Sequence, residues 1–286
     1  MPKFEYLSCE SIEEACSLLG KYGEEARVLS GGTDLLIKMK HKMMTPGYLI
    51  NIKRIPDLNY IRQDDGRQVA IGALTTVQAV KNSPLIKKKY HALNDATGVL
   101  GTRQVRNLAT VCGNLCNASP AAECAPALLA LNARARIAGK SGRRVIDLKD
   151  FFLEPGKIAL AHDEILTEIQ IPEPETNTGG VYLKHSTRRI DVAIVGVAVV
   201  VRMDGPKVED IRIALGAVGP TPFRAEKAEA ILKGRKADEE RVQKAAAMAS
   251  DESFPIDDLR GQKDYRKEMV ATLVKQGIEG AISRAR

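Results

Sequence analysis

Apolar positions along the chain change period several times, and each change marks an element. Residues 3–7 read as a strand, and Ser11-Ile12-Glu13-Glu14 is a capping box that opens a helix. Ala15, Leu18 and Leu19 supply its apolar stripe, and Gly20 and Gly23 end it. Arg27-Val28-Leu29 is a short strand running into Ser30-Gly31-Gly32-Thr33-Asp34, after which residues 34–39 begin another helical pattern. Residues 48–52 read as a strand, punctuated by Ile55-Pro56-Asp57.

Strands are predicted at 68–71, 134–138, 144–148 and 164–171, with helical spacing from Thr76, after Ser83-Pro84, and through Leu93, Ala96 and Leu100. Residues 127–131 are an apolar run, and 172–180, PEPETNTGG with its leading Pro, is the clearest linker candidate. Beyond it, 181–185, 192–202 and 211–218 are β-rich, and 225–232, 238–249 and 265–282 are helical. Strands followed by segregated helices indicate an α+β unit. The chain therefore divides into 1–57, 58–175 and 176–286.

Composition narrows the class. At 286 residues and 44% apolar, the chain can bury a substantial core. No apolar run approaches the roughly 20 residues of a membrane span, and the N-terminus lacks a signal-peptide core, which predicts a soluble, cytoplasmic protein. The net charge of +7 suits an anionic ligand or an acidic partner, and equally suits basic side chains scattered over solvated helices. With 4% aromatics, no Trp and no basic stripe interleaved with aromatics, nucleic-acid binding is not indicated.

The candidate chemistry centres on residues 101–131. Thr110-Val111-Cys112-Gly113-Asn114 lies between Arg103 and Arg106 on one side and Glu123 on the other. A Gly-containing turn lets main-chain N–H groups approach an anion, and Thr and Asn add donors with little bulk. The earlier run, Ser30 to Asp34, is a second such turn placed between a strand and a helix start, so turn amides and first-turn amides converge. Cys112, Cys116 and Cys124 lack the fourth thiolate of an iron–sulfur site, and His41, His91, His162 and His185 have no ligand spacing, so no metal site is expected. Cys112 is a candidate for redox sensitivity, because amides that bind phosphate also favour a thiolate. No nucleophilic triad pattern is present, and no catalytic side chain is assigned.

Taken together, the two Gly turns resemble those of the FAD-binding medium subunit of the molybdenum hydroxylases, the xanthine dehydrogenase and carbon monoxide dehydrogenase family. Val28, Leu29, Ser30, Gly31, Gly32, Thr33, Asp34 and Leu35 match the first flavin loop of that family. Thr110, Val111, Cys112, Gly113 and Asn114, with residues 117–123 after them and Arg106-Asn107 before them, match the second. The likeness continues through Ile165-Leu166, Lys184, the run 188–193 and the run 215–224. Two departures stand out: Cys112 replaces a Gly of the family's loop, and Glu123 replaces an Asp.

The resemblance implies an α+β chain: a two-lobed FAD-binding fold of the vanillyl-alcohol-oxidase (PCMH) type plus a C-terminal domain, with FAD as cofactor and no Rossmann fingerprint. The two loops would hold the pyrophosphate and neighbouring ribose. Glu123 would accept from ribose or adenine, Leu166 would pack an apolar edge, and Lys184 would lie near the polar ring edge, where a cation stabilises reduced flavin. His185 would face the flavin or be structural, and Arg188, Arg189 and Asp191 would form a solvated turn or part of a flavin or partner face. The implied function is electron transfer between [2Fe-2S] clusters of a small partner subunit and an acceptor such as NAD, beside a molybdopterin large subunit, in a dimer of heterotrimers. A self-sufficient NAD(P)H-dependent flavin reductase and an assembly subunit that has lost FAD are the alternatives.

Overall fold

The computed structural model describes residues 2–64 and 68–285. Its first sheet is small and wholly parallel. Strands β1 (Glu5–Ser8), β2 (Ala26–Leu29) and β3 (Tyr48–Asn51) lie in the order β1-β3-β2. Helix α1 (Ile12–Tyr22) joins the first two strands, and α2 (Leu35–Lys40) precedes the third. The capping box forms with a shift: Ser11 Oγ accepts from the Glu14 N–H at 3.0 Å, whereas Glu14 reaches back to the Glu10 N–H at 2.8 Å. Gly20 stays inside α1, and Gly23, at φ 52°, terminates it.

The second sheet is antiparallel and mixes distant strands. Its members are β4 (Ile61–Asp64), β5 (Gln68–Gly72), β6 (Arg134–Gly139), β7 (Gly142–Asp147) and, in the centre, β10 (Ile165–Pro172), ordered β4-β5-β10-β6-β7. A hairpin of β8 (Phe152–Glu154) and β9 (Lys157–Ile158) precedes β10. Between β5 and β6 run six helices: α3 (Val77–Asn82), α4 (Pro84–Lys89), α5 (His91–Val99), α6 (Arg103–Arg106), α7 (Val111–Cys116) and α8 (Cys124–Ala130). All seven residues of α8 are buried, as its unbroken apolar sequence requires.

The C-terminal sheet is built from β11 (Thr178–His185), β12 (Val195–Asp204), β13 (Lys207–Gly216) and the short β14 (Phe223–Arg224), all antiparallel. Helices α9 (Glu226–Leu232), α10 (Glu239–Asp251) and α11 (Lys263–Arg284) follow, with the two-residue β15 (Arg235–Lys236) beside β13. Both faces of β12 are covered, which is why Val195 to Val201 reads as continuous apolar sequence rather than alternating. Val197, Val199 and Val201 join the core under α10 and α11, whereas Ala198 and Val200 join the core of the preceding units.

The predicted linker is shorter than its composition suggests. Only five residues, 173–177, separate β10 from β11. Gly179 and Gly180 belong to β11, and a Cβ on Gly179 would lie 2.0 Å from the Ala281 carbonyl oxygen. Glycine there permits close helix packing instead of chain flexibility. The seam is further tied by Arg284, whose Nη1 donates to Asp95 at 2.6 Å and to the Gly180 carbonyl at 2.8 Å.

Candidate functional site

A cleft of about 630 Å³ opens where the first sheet meets the second unit. Its first wall is the turn after β2. In an open parallel sheet, ligand crevices form outside the carboxyl ends of the strands, and this turn sits at such an end. Gly32 adopts φ 73°, a conformation a Cβ strains. Gly31 answers a different demand: a Cβ on it would meet the Leu108 carbonyl oxygen at 2.2 Å. The missing side chain thus lets the first turn touch the segment leading into the second. Among the described residues, the amide N–H groups of Gly31, Gly32, Thr33 and Asp34 have no acceptor within the chain. Their residues line the cleft, where a bound anion would supply one.

The second run is a helix start. Thr110 is the N-cap of α7, and its Oγ1 accepts from the Gly113 N–H at 3.0 Å. The Asn114 N–H goes to the Thr110 carbonyl and the Val111 N–H to the Thr75 carbonyl, leaving the Cys112 N–H as the one amide of 111–114 without a partner in the chain among the described residues. Asn114 Oδ1 accepts from the Cys124 N–H at 3.3 Å, so its amide NH₂ remains as a donor. The two runs meet directly, with Ser30 Oγ 3.2 Å from Thr110 Oγ1.

The structure distributes the expected site residues unequally. Val28, Ser30, Gly31, Gly32, Thr33, Asp34, Leu35, Thr110, Cys112, Gly113, Asn114, Glu123 and Leu166 all line the cleft. Leu29 and Val111 turn into the hydrophobic cores. Leu166 stands beside a bulge in β10, where the register to β6 shifts between Leu166 and Glu168. Lys184 does not line the cleft: its ammonium is buried, donating to Glu123 Oε1 at 3.0 Å and to the Val99 carbonyl at 3.0 Å. It reaches the site through Glu123. Burial raises the Glu123 carboxyl pKa, and Lys184 offsets part of that.

Several polar expectations are corrected by geometry. Arg106 donates to the carbonyls of Leu100 and Gly101, both at 3.1 Å, and so satisfies the end of α5 instead of facing an anion. Arg103 is exposed and outside the cleft. The Cys112 thiol is pushed well above its ordinary pKa by burial, which opposes the thiolate that redox sensitivity requires. The Cβ of Cys112 fits without strain because the residue lies in ordinary helical backbone. His185 Nε2 lies 2.9 Å from the Tyr265 hydroxyl and has a structural partner. Arg188 and Asp191 pair at 3.0 Å in an exposed turn.

Three further groups line the cleft, and of these the 156–162 segment and Lys38 lie outside the runs that carry the family likeness. Ile190 and Val192 are 53% and 47% exposed, yet line the cleft from the turn after β11. Two apolar residues inside a charged turn were the available signal. The segment 156–162, from the β8–β9 hairpin onward, closes another part of the wall, including Ala161 and His162. Lys38 and Asn117 also line the cleft, bonded to one another.

A cleft of mixed apolar and polar lining, with unpartnered amides contributed by two neighbouring loops, fits a dinucleotide cofactor with an anionic centre and an apolar ring system. Comparison with known proteins agrees. Residues 2–174 match the FAD binding domain in molybdopterin dehydrogenase, and residues 181–281 match the CO dehydrogenase flavoprotein C-terminal domain. The carbon monoxide dehydrogenase medium chain of Hydrogenophaga pseudoflava is 36% identical over 283 residues, covering 99% of this chain and 98% of the relative. The glyceraldehyde dehydrogenase medium chain of Sulfolobus acidocaldarius is 33% identical, covering 97% of this chain and 98% of that one. The solved carbon monoxide dehydrogenase of Hydrogenophaga pseudoflava that lacks the Mo-pyranopterin moiety superposes with a TM-score of 0.97 at 37% identity, over 99% of this chain and 98% of that one. The chain belongs to the FAD-binding medium subunits of the molybdenum hydroxylases, the subunit type of the carbon monoxide and xanthine dehydrogenases.

Proposed function

We propose that this subunit holds FAD and passes electrons between [2Fe-2S] clusters of a small partner subunit and an external acceptor such as NAD. The observation that carries the proposal is the convergence of the Gly31–Asp34 amides and the α7 start on one cleft, joined by the Ser30–Thr110 contact. Bound there, the isoalloxazine supplies the capacity to take single electrons and release a pair as hydride.

The chain's own residues bind and orient. The four amides after β2, the Cys112 amide and the Asn114 side-chain NH₂ donate to the pyrophosphate and neighbouring ribose, requiring no movement of charge. Glu123 accepts from a ribose or ring donor, and Lys184 fixes its rotamer through the buried pair. Leu166, with Ile165 beside it on the cleft wall, packs an apolar edge of the cofactor. Ile190 and Val192 keep water from the mouth of the cleft.

The subunit works within a larger assembly, a dimer of heterotrimers with a molybdopterin large subunit, in the cytoplasm. Among the described residues no helix is long and apolar enough to cross a membrane. The three units 1–57, 58–175 and 176–286 divide the work: the first two supply the loops of the cleft, and the third adds Ile190 and Val192 to its wall and supports Glu123 through Lys184. Anaerobic addition of the reduced iron–sulfur subunit to the FAD-loaded chain tests this. Bleaching of flavin absorbance, restored by NAD, is expected; bleaching by NADH with no competence toward the iron–sulfur subunit would favour an independent flavin reductase.

A further inference from the structure

Lys38 is a cation in the cleft wall that neither loop explains. It stands one helical turn into α2, lines the cleft, and donates from Nζ to Asn117 Oδ1 at 2.6 Å. Asn117 caps the far end of α7 and lines the same cleft. The contact therefore spans from the helix that follows the first loop to the helix that begins with the second. The other basic groups of the wall are differently placed. Arg27 turns back on its own segment, donating to the Glu24 and Ala26 carbonyls at 2.8 and 2.7 Å, and Lys157 and His162 belong to the separate 156–162 segment.

The anion balance at the loops is incomplete without such a group. The amides of Gly31 to Asp34 are neutral donors, and the Asp34 carboxylate beside them has the same sign as a pyrophosphate. Burial raises the Asp34 carboxyl pKa, and Lys38 is the charge that offsets part of that rise. Its partner Asn117 is uncharged, so exchanging that amide oxygen for a phosphate oxygen converts an ion–dipole contact into an ion pair. The flexible stem of lysine permits the change without moving either helix.

We propose that Lys38 is a cofactor-binding residue: in the loaded subunit its ammonium leaves Asn117 and pairs with the pyrophosphate of FAD. The inference rests on the FAD reading above, and extends it to a residue outside both loops. Asn117 then acts as a resting partner that the ammonium gives up when the cofactor arrives.

The test uses the full chain, stripped of flavin, with FAD and riboflavin as separate probes and dissociation constants read from flavin fluorescence. Lys38→Met is expected to weaken FAD binding about 5- to 20-fold, to flatten its salt dependence, and to leave riboflavin binding unchanged, since riboflavin has no pyrophosphate. Lys38→Arg restores most of the affinity, and Asn117→Ala leaves FAD binding equal or tighter. Equal FAD affinity in Lys38→Met and the parent across the salt series overturns the proposal. So does a parallel loss for FAD and riboflavin accompanied by a lower Tm, which assigns Lys38 a purely structural contact. A parent chain that binds no FAD at all overturns the cofactor reading and this inference with it, and is distinguished by the parent alone.

Discussion

Ser30 and Thr110 stand 80 positions apart in the chain and bring their hydroxyl oxygens to 3.2 Å in the wall of the cleft. Thr110 is doubly engaged, since the same Oγ1 caps α7 through the Gly113 N–H. Thr110→Ala is expected to cost about 1–2 kcal/mol, with Ser30→Ala costing less. A double-mutant cycle by urea unfolding should give a coupling of about 0.5–1 kcal/mol between them. Strict additivity would mean the hydroxyl contact contributes nothing to joining the loops.

The two glycines of the first turn fail for different reasons when substituted. Gly31→Ala places a Cβ against a backbone carbonyl that cannot rotate away, and is expected to destabilise by about 2 kcal/mol or more and to abolish FAD binding. Gly32→Ala meets only the side chains of Leu29 and Leu36 but is held at positive φ, for an expected cost of about 1 kcal/mol. Gly113→Ala would press on Thr110 Oγ1 at 2.7 Å and loosen the cap. Thermal unfolding and FAD titration of the three variants check this ordering. Full cofactor occupancy in folded Gly32 and Gly113 variants with bulkier side chains would contradict the placement of the loops.

The buried Glu123–Lys184 pair gives a pH signature. Its carboxyl has a raised pKa in the folded chain, so the folded state holds that proton more firmly than the unfolded chain does. Raising the pH through the interval above the ordinary value of 4.5 therefore removes stability instead of adding it. Lys184→Met enlarges the effect by leaving the carboxylate without its ion partner, at an expected cost of about 3 kcal/mol at neutral pH and less in acid. Urea unfolding at about pH 5 and about pH 8 should show the larger deficit at the higher pH. A pH-independent deficit would place the loss in packing alone.

Glu164, on the cleft wall, behaves in the opposite sense. Arg144 donates to both its carboxylate oxygens, at 2.7 and 2.6 Å, and holds its pKa below the ordinary 4.5. The contribution is fully present above that ordinary value and is lost as pH falls through the lowered one. The arginine is substantially exposed, so Arg144→Leu is expected to cost only about 1 kcal/mol at neutral pH. The difference from the parent should vanish on acidification. A difference that persists in acid would attribute the effect to the arginine's contact with the Ala159 carbonyl.

Much of the architecture was written in local pattern. The run into Gly31-Gly32, the Thr76 and Ser83 helix starts, and the long apolar strands of the C-terminal sheet follow from period and capping chemistry, and each formed near its expected position. What was not legible depended on contacts between distant segments. Gly31 looked like a residue chosen for ligand approach, whereas its nearest obstacle is Leu108. Arg106 carried the right charge for an anion, yet three acceptors near α5 and α3 claim its guanidinium. Cys112 lay among amides that favour a thiolate, but its burial, a tertiary property, decides its pKa the other way. The glycines at 179–180 resembled a linker because composition does not show that α11 lies against Gly179 and α5 against Gly180. Lys38 escaped notice because one lysine in a basic helix has no local mark separating it from a solvated one.

The most direct test of the central claim is an equilibrium titration of the flavin-free chain with FAD, followed by fluorescence quenching and by the visible absorbance of the protein after gel filtration. The account predicts saturable binding of one FAD per chain, lost in Gly31→Ala and retained in a surface control such as Lys244→Ala, whose contact to Glu240 is exposed and remote in sequence from the cleft residues. A folded parent chain that remains colourless and leaves FAD fluorescence unchanged would contradict it.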